Sequence, residues 1–391
     1  MTDATERPFL PFARPDITEE EISAVTATIR SGWLTTGPNS AAFEKEMAEF
    51  LGDSELHCIA VNSATAGLHL AVEALGVGPG DEVLVPTWTF TSTAEVVRYV
   101  GAEPVMVDVD AETLNIDFDD AARRVSSRTK AIMPVHIAGV PVDVQALTAF
   151  AEEHDLRVVE DAAHAFPVRS GDALVGNSTS DAVVFSFYAT KTITTGEGGM
   201  VMVRSAELAS RMRAMRLHGI SRDVFNRYNS KVPAWRYEVI APGFKYNLPD
   251  TAAAMGRVQL QRAVEMRDNR RRIALRYLEA FADLPVELPT CPEARDAHAW
   301  HLFMLRVDQD RAGLHRDEFI ERMSAENVGT SVHFIPLHLH PYWKESLGLD
   351  SNDFPVATRE FERTVSLPIF SSMTDEDVSQ VIDAVRKVLA G

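Results

Sequence analysis

Cysteine is scarce. The 391 residues contain only Cys58 and Cys291, too few for a disulfide framework or a four-thiolate zinc site. No stretch of about 18 uninterrupted apolar residues occurs, so no segment reads as a membrane-spanning helix. Basic charge is outnumbered: 38 Lys and Arg face 57 Asp and Glu, a formal net charge of −19. Nucleic acid and anionic membranes are therefore excluded as partners unless a local basic patch intervenes. The opening residues Met1–Glu6 lack the basic and apolar regions of a secretion signal, and the sequon Asn177-Ser178-Thr179 means little without one. Internal repeats and low-complexity tracts are also missing. The expectation is a reduced, soluble, cytoplasmic protein.

What is there fits a sizeable core: 46% of residues are hydrophobic and 24% charged, and the length allows two or three domains. Thr18-Glu19-Glu20-Glu21 is a capping box opening a helix that Gly32 closes. Ser63 precedes a mostly apolar helix over 64–75. Strand-like runs follow at Glu82–Val85, Pro104–Val107, Ala131–Val135, Leu156–Val159, Ala182–Phe187 and Met200–Val203. Several have no polar alternation, as strands buried on both faces should. Helical stretches around Thr91–Tyr99 and Val142–His154 separate some of them, which predicts an α/β fold with a mostly parallel sheet between helices. From about Asn247 the texture changes to a long charged helix (Gln259–Leu284), a strand (His301–Val307), a helix (Arg316–Glu326), a strand near Thr330–Phe334 and a terminal helix (Asp375–Leu389). We therefore expect a large domain over 1–250 and a smaller α+β domain over 251–391.

Four features fall where open α/β sheets collect ligands, at strand ends and helix starts. Asn62-Ser63-Ala64-Thr65-Ala66-Gly67 offers free amides and a hydroxyl, a phosphate seat or a plain helix cap. Val158-Val159-Glu160-Asp161-Ala162-Ala163-His164 delivers two carboxylates and a histidine from a buried run, able to hold a protonated ring nitrogen or a metal, or simply to cap a helix. Phe185-Ser186-Phe187-Tyr188-Ala189-Thr190-Lys191, followed by a glycine run at 196–199, presents a candidate amine nucleophile. The glycines do not form a dinucleotide fingerprint, because Val201 stands at the sixth position from Gly196. Pro86-Thr87-Trp88-Thr89-Phe90 places aromatics just after a strand, for stacking on a planar cofactor or for the core. His333, His338 and His340 lack the spacing of a zinc helix, so no metal is expected, and His136 reads as a satisfied core residue.

In this order the segments resemble the DegT/DnrJ/EryC1/StrS family of sugar aminotransferases, enzymes with the fold type I (aspartate aminotransferase-like) architecture that use pyridoxal 5'-phosphate (PLP). The resemblance rests on Ser31–Pro38, Asn62–Ala66, Asp81–Phe90, Glu160–His164, Phe185–Gly199, Gly243–Asn247 and Val332–His338, and spans nearly the whole chain. It implies that Lys191 is the Schiff-base lysine, Asp161 the carboxylate paired with the pyridine nitrogen, and His164 a neighbour of the ring and its hydroxyl. It also implies a phosphate cup of Ala64, Thr65 and Ser186, and Trp88 stacked over the ring. Many members carry Gly-Tyr-Asn-Tyr-Arg, its Asn reaching the partner subunit's cofactor phosphate, where this chain has Gly243-Phe244-Lys245-Tyr246-Asn247. Lys245 stands at that Asn and Asn247 at the Arg, so the resemblance implies that both bind cofactor, Lys245 as a point charge toward a phosphate.

The resemblance further implies a homodimer with shared sites and a cofactor alternating between PLP and its pyridoxamine form (PMP). The expected reaction moves an amino group from L-glutamate to a TDP- or UDP-linked 4-keto-6-deoxyhexose. Transfer at C3 or to a cyclitol ketone, and a non-catalytic regulatory relative, are the alternatives; a nicotinamide oxidoreductase is disfavoured by the absent fingerprint. Thr35, Tyr188, His218, Trp235 and His333 are the expected substrate contacts. Arg211, Arg213, Arg216, His218, Arg222, Arg227, Lys231 and Arg236 supply the positive charge an anionic substrate needs, although Arg211 and Arg213 also read as a solvated helix face.

Overall fold

Apolar runs bounded by turns become seven strands of one sheet in the computed structural model, which describes residues 7–220 and 237–390. The strands are β1 (His57–Val61), β2 (Glu82–Pro86), β3 (Glu103–Val107), β4 (Thr129–Ile132), β5 (Arg157–Asp161), β8 (Ala182–Ser186) and β9 (Gly199–Val203). A two-residue hairpin, β6 (Arg169–Ser170) with β7 (Ala173–Leu174), interrupts them. The sheet order is β1-β9-β8-β5-β4-β2-β3. All neighbours are parallel except β9, which runs against both β8 and β1.

Alternate side chains of each strand enter different cores, the period-2 consequence of the pleat. Val184, Val201, Val159 and Val85 pack under the helix Ala64–Ala74, whereas Val183, Phe185, Met200 and Met202 face Phe43, Met47 and Leu260 on the other side. Burial on both faces explains why these strands show no polar alternation. Thr18 caps the helix Glu19–Ser31 with the expected reciprocal box, and Gly32 closes it in the left-handed region.

The C-terminal part has its own antiparallel pair, β10 (Phe303–Arg306) with β11 (Thr364–Leu367). The helices Arg316–Ala325 and Asp375–Leu389 cover it through Phe319, Val381 and Val385. No strand forms at 330–334; Ser331 makes only an isolated bridge to Ser366. The long helix starts at Asp250, earlier than the charge pattern indicated, and runs to Phe281. Its Ala253, Leu260 and Met266 belong to the core around Phe43, while Ile273, Tyr277 and Phe281 belong to the C-terminal core. A division into two domains, as we propose it, therefore runs through this helix rather than ahead of it. Leu337, Trp343, Phe354 and Ala357 return to the core of the main sheet.

One buried carboxylate fixes the start of the long helix against the second helix of the chain, Pro38–Phe50. Asp250, fully buried, accepts from the backbone amides of Gly37 (2.7 Å), Ser40 (3.0 Å) and Asn39 (3.0 Å). Removing it leaves three amides at a helix start without their acceptor. Asp250→Ala should lower stability by about 3 kcal/mol in chemical denaturation; a loss below about 0.5 kcal/mol would show that water replaces the carboxylate.

Candidate active site

The strands β1, β2, β4, β5 and β8 all end on one edge of the sheet, and the loops leaving them close around a cavity of about 500 Å³. β5 supplies Asp161 and, just after, Ala163 and His164. β8 ends on Ser186, and the loop after it supplies Tyr188, Thr190 and Lys191. The turn after β2 supplies Thr89 and Phe90, and the start of the helix Ala64–Ala74 supplies Ala64 and Thr65. Phe12, His301, His333 and Phe334 complete the wall from the two ends of the chain.

Asp161 is buried at the end of its strand. Its carboxylate accepts from the Thr93 hydroxyl (2.8 Å) and the Ala163 amide (3.1 Å). Burial raises its pKa, opposed by these hydrogen bonds and by Lys191. Such a carboxylate is more stable as an anion when a cationic donor enters the site. Lys191 shows the converse: loss of solvation and the Arg270 guanidinium push its amine down, against the pull of Asp161, to about 8. A lysine at that value both holds and releases a proton near neutrality.

The cavity's histidines are held neutral. Burial lowers His164 and His301 well below the ordinary value and brings His333 to about 4. The rings of His164 and His301 lie 4.3 Å apart, and the Nδ1 atom of each is buried without a partner. An orphaned nitrogen on a cavity wall is the place for a ligand's polar group.

At the helix start, the Ser63 hydroxyl accepts from the Ala66 amide (3.1 Å); Ala64 and Thr65, the first residues of the helix, line the cavity. Gly199, facing Val61 and Ser186 across the sheet, lies against this start: a Cβ there would fall 2.8 Å from the Ala64 nitrogen and 2.9 Å from the Phe185 oxygen. The glycine lets the helix N-terminus approach the sheet edge closely, where amides and helix dipole favour an anion.

The structure thus brings Lys191, Asp161, His164, Ala64, Thr65, Ser186, Tyr188 and His333 onto one wall. It does not bring Trp88 there. Trp88 is fully buried and donates to the His333 carbonyl (2.9 Å), whereas Phe90, past the bends at 87–89, faces the cavity. Trp88 is therefore off the cavity wall, against expectation, and Phe90 is the aromatic of this segment that lines it.

Several other expected contacts lie elsewhere in this chain. Lys245 is exposed beside Asn62, and Asn247 donates to the Thr36 hydroxyl (2.7 Å). Thr35 and His218 are exposed and off the cavity wall. Trp235, with Arg222, Arg227, Lys231 and Arg236, lies outside the described residues. Of the basic cluster, Arg211 pairs with Glu73, and Arg216 with Glu44 and the Ala60 carbonyl, so these two serve the fold. His136 is satisfied in the core: it accepts from the Val142 amide and bonds Glu160 (2.9 Å). His338 bonds Thr87 and Thr358.

Phe12, Thr93 and His301 sit in no motif that marks them, and Phe334, although inside Val332–His338, has no spacing that singles it out. Phe90 lies within Asp81–Phe90, but nothing in its spacing separates it from Trp88. A larger cavity, about 740 Å³, opens between 110–119, 138–146 and 289–306. Its lining contains no lysine and none of the expected site residues, which the smaller cavity gathers.

Comparison with known proteins agrees in scale. The sequence profile of the DegT/DnrJ/EryC1/StrS aminotransferase family matches residues 15–386. The spore coat polysaccharide biosynthesis protein SpsC of Bacillus subtilis (strain 168) is 47% identical over 384 residues, covering 98% of each chain. Among solved structures, the PMP-form of Spr1654 from Streptococcus pneumoniae superimposes with a TM-score of 0.89 at 32% identity, covering 97% of this chain and 99% of that one. DesV of S. venezuelae, in complex with a ketimine intermediate, gives 0.87 at 31% identity, covering 98% of this chain and all of the other.

Proposed function

The chain belongs to the DegT/DnrJ/EryC1/StrS aminotransferase family and is a PLP-dependent sugar aminotransferase, and from that premise we propose that it moves an amino group from L-glutamate to a nucleotide-linked 4-keto-6-deoxyhexose. The product would be a 4-amino-4,6-dideoxy sugar nucleotide, carried on TDP or UDP. The observation that carries the reading is the meeting of Lys191 and Asp161 on one cavity at the sheet edge.

The residues fit the cofactor. Asp161, raised by burial and hydrogen-bonded by only two donors, suits a protonated ring nitrogen. His164 offers an unpartnered Nδ1 for the ring hydroxyl, and Phe90 offers an aromatic face. The amides of Ala64 and Thr65, the Thr65 hydroxyl and Ser186 suit the phosphate, and Lys191 suits the covalent anchor. When bound, the cofactor supplies an electron sink for the charge left when a proton leaves the donor's α-carbon.

The chain's own residues do the rest. An anionic Asp161 keeps the opposing nitrogen protonated, because separating that pair would strand a charge in a dry site. Lys191 takes a proton at Nζ and returns it, which an amine near 8 can do in both directions. His333, neutral and hydrogen-bonded through Nδ1 to Ser366 (3.1 Å), suits a sugar hydroxyl rather than proton transfer. Phe90 and Phe334, with ring centroids 5.6 Å apart, and Phe12 make an apolar wall. Such a wall favours a C6 methyl over a hydroxyl that would lose its hydrogen bonds.

We also propose a homodimer in a cytoplasmic setting. Phe90, Tyr188, Ile335 and Tyr342 expose apolar surface, and Lys245 and Asn247 sit off their own chain's cavity, as residues serving a partner would. Cys58 and Cys291 are both unpaired, and among the described residues no helix is long and apolar enough to cross a membrane.

Lys191→Ala should abolish turnover while the purified protein still retains cofactor through the phosphate cup; measurable turnover would remove Lys191 from its role. Asp161→Asn should retain cofactor but lose about 10²- to 10⁴-fold in rate, and near-normal rates would discount the charge pair. Mixed with glutamate and a panel of keto-sugar nucleotides, the protein should aminate a 4-keto-6-deoxyhexose at C4 by NMR. Amination only of 3-keto sugars or a cyclitol ketone would replace the proposed substrate. Sedimentation should give a dimer, and a fully active monomer would overturn the shared site.

A further inference from the structure

Arg270 is a buried cation with no anion in ion-pair contact among the described residues; Asp16 acts on its charge only from farther away. It lies on the long helix, 2% exposed, and its guanidinium is bonded to backbone carbonyls rather than to a carboxylate among the described residues. Its Nη1 donates to the backbone carbonyls of Ile369 (2.7 Å), His301 (3.3 Å) and Trp300 (3.4 Å), and its Nη2 to that of Thr190 (3.4 Å). Its Nε is buried with no partner. Burying such a group without a counter-charge is costly, and an apolar side chain would serve packing better. The four carbonyls come from three segments: the loop that carries Lys191, the stretch leading into β10, and the turn after β11. Thr190 is Lys191's immediate neighbour.

We propose that Arg270 is a positioning residue whose unpaired charge and carbonyl contacts set how Lys191 presents its amine to the cavity. This rests on the reading of Lys191 as the lysine that bonds the cofactor. Charged and titratable groups face Lys191 from several elements: Asp161 from β5, Arg270 from the long helix, His164, His301 and His333 around the cavity, and Glu197 at its wall. Burial keeps the histidines neutral. Although it also lowers Arg270 to about 10, the guanidinium remains charged at neutral pH. The strongest charges acting on Lys191 are then one anion and one cation: Asp161 favours the ammonium form, and Arg270 favours the free amine. Without Arg270, Asp161 would hold Lys191 protonated to a higher pH.

The test uses the full-length, cofactor-free protein, so its outcome does not depend on which ketone the enzyme accepts. Reductive methylation by formaldehyde and cyanoborohydride is followed across pH, and Lys191 is quantified by peptide mass against the exposed Lys45. The wild-type midpoint is expected near 8. Arg270→Met and Arg270→Gln, two neutral replacements, should raise it by about one pH unit, whereas Arg270→Lys should hold it within about 0.3 units. An unchanged midpoint in a folded neutral variant would overturn the proposal, as would a Lys variant displaced as far as the neutral ones. So would failure of both neutral variants to fold, since Arg270 would then be an anchor of the fold.

Discussion

Two opposite charges placed in a dry cavity constrain the rest of this structure. Asp161 is buried enough that its anionic form is disfavoured, and Lys191 enough that its cationic form is. Neither is stable in its charged form except against an opposite charge. Each therefore steadies the other, and a cofactor with a protonatable ring nitrogen would take one side of that balance. The Thr93 hydroxyl and Ala163 amide aim the carboxylate. The Phe187–Gly198 and Thr195–Phe187 backbone hydrogen bonds hold the loop that carries the amine.

Sheet topology makes this meeting possible. Parallel strands release their C-terminal ends along one edge, so side chains far apart in sequence converge there. β9 runs the opposite way and brings Gly198 and Gly199 to the same edge, where a side chain at 199 would collide with the helix start at Ala64. The antiparallel strand thus leaves room for the amides that suit a phosphate. The long helix then joins the two halves: Asp250 caps the helix at residue 38, and Arg270, between five and six turns on, holds the lysine loop to the C-terminal part.

Where the chain's local pattern and its burial coincide, the sequence is readable. β5, β8 and β9 follow from apolar runs without alternation, and the helix at 19 from its reciprocal cap. Lys191, Asp161 and His164 stand out because they interrupt apolar runs with charge at strand ends. Other features have no local signature. β1 is one short apolar run beside a helix, and the expected strand near 330 lacks a partner long enough to make it one. Trp88 and Phe90 differ only in how the chain bends between them. His301 and Arg270 owe their positions to tertiary packing: each sits in a stretch that reads as ordinary strand or charged helix until the fold brings it to Lys191.

The most direct measurement is borohydride reduction of the cofactor-loaded protein, followed by protease digestion and peptide mass mapping of the pyridoxyl label. A single label on Lys191, prevented by glutamate added beforehand, is the expected result. A label on another lysine, or none on a protein that visibly holds its cofactor, would contradict the assignment of the cavity's amine and the chemistry built on it.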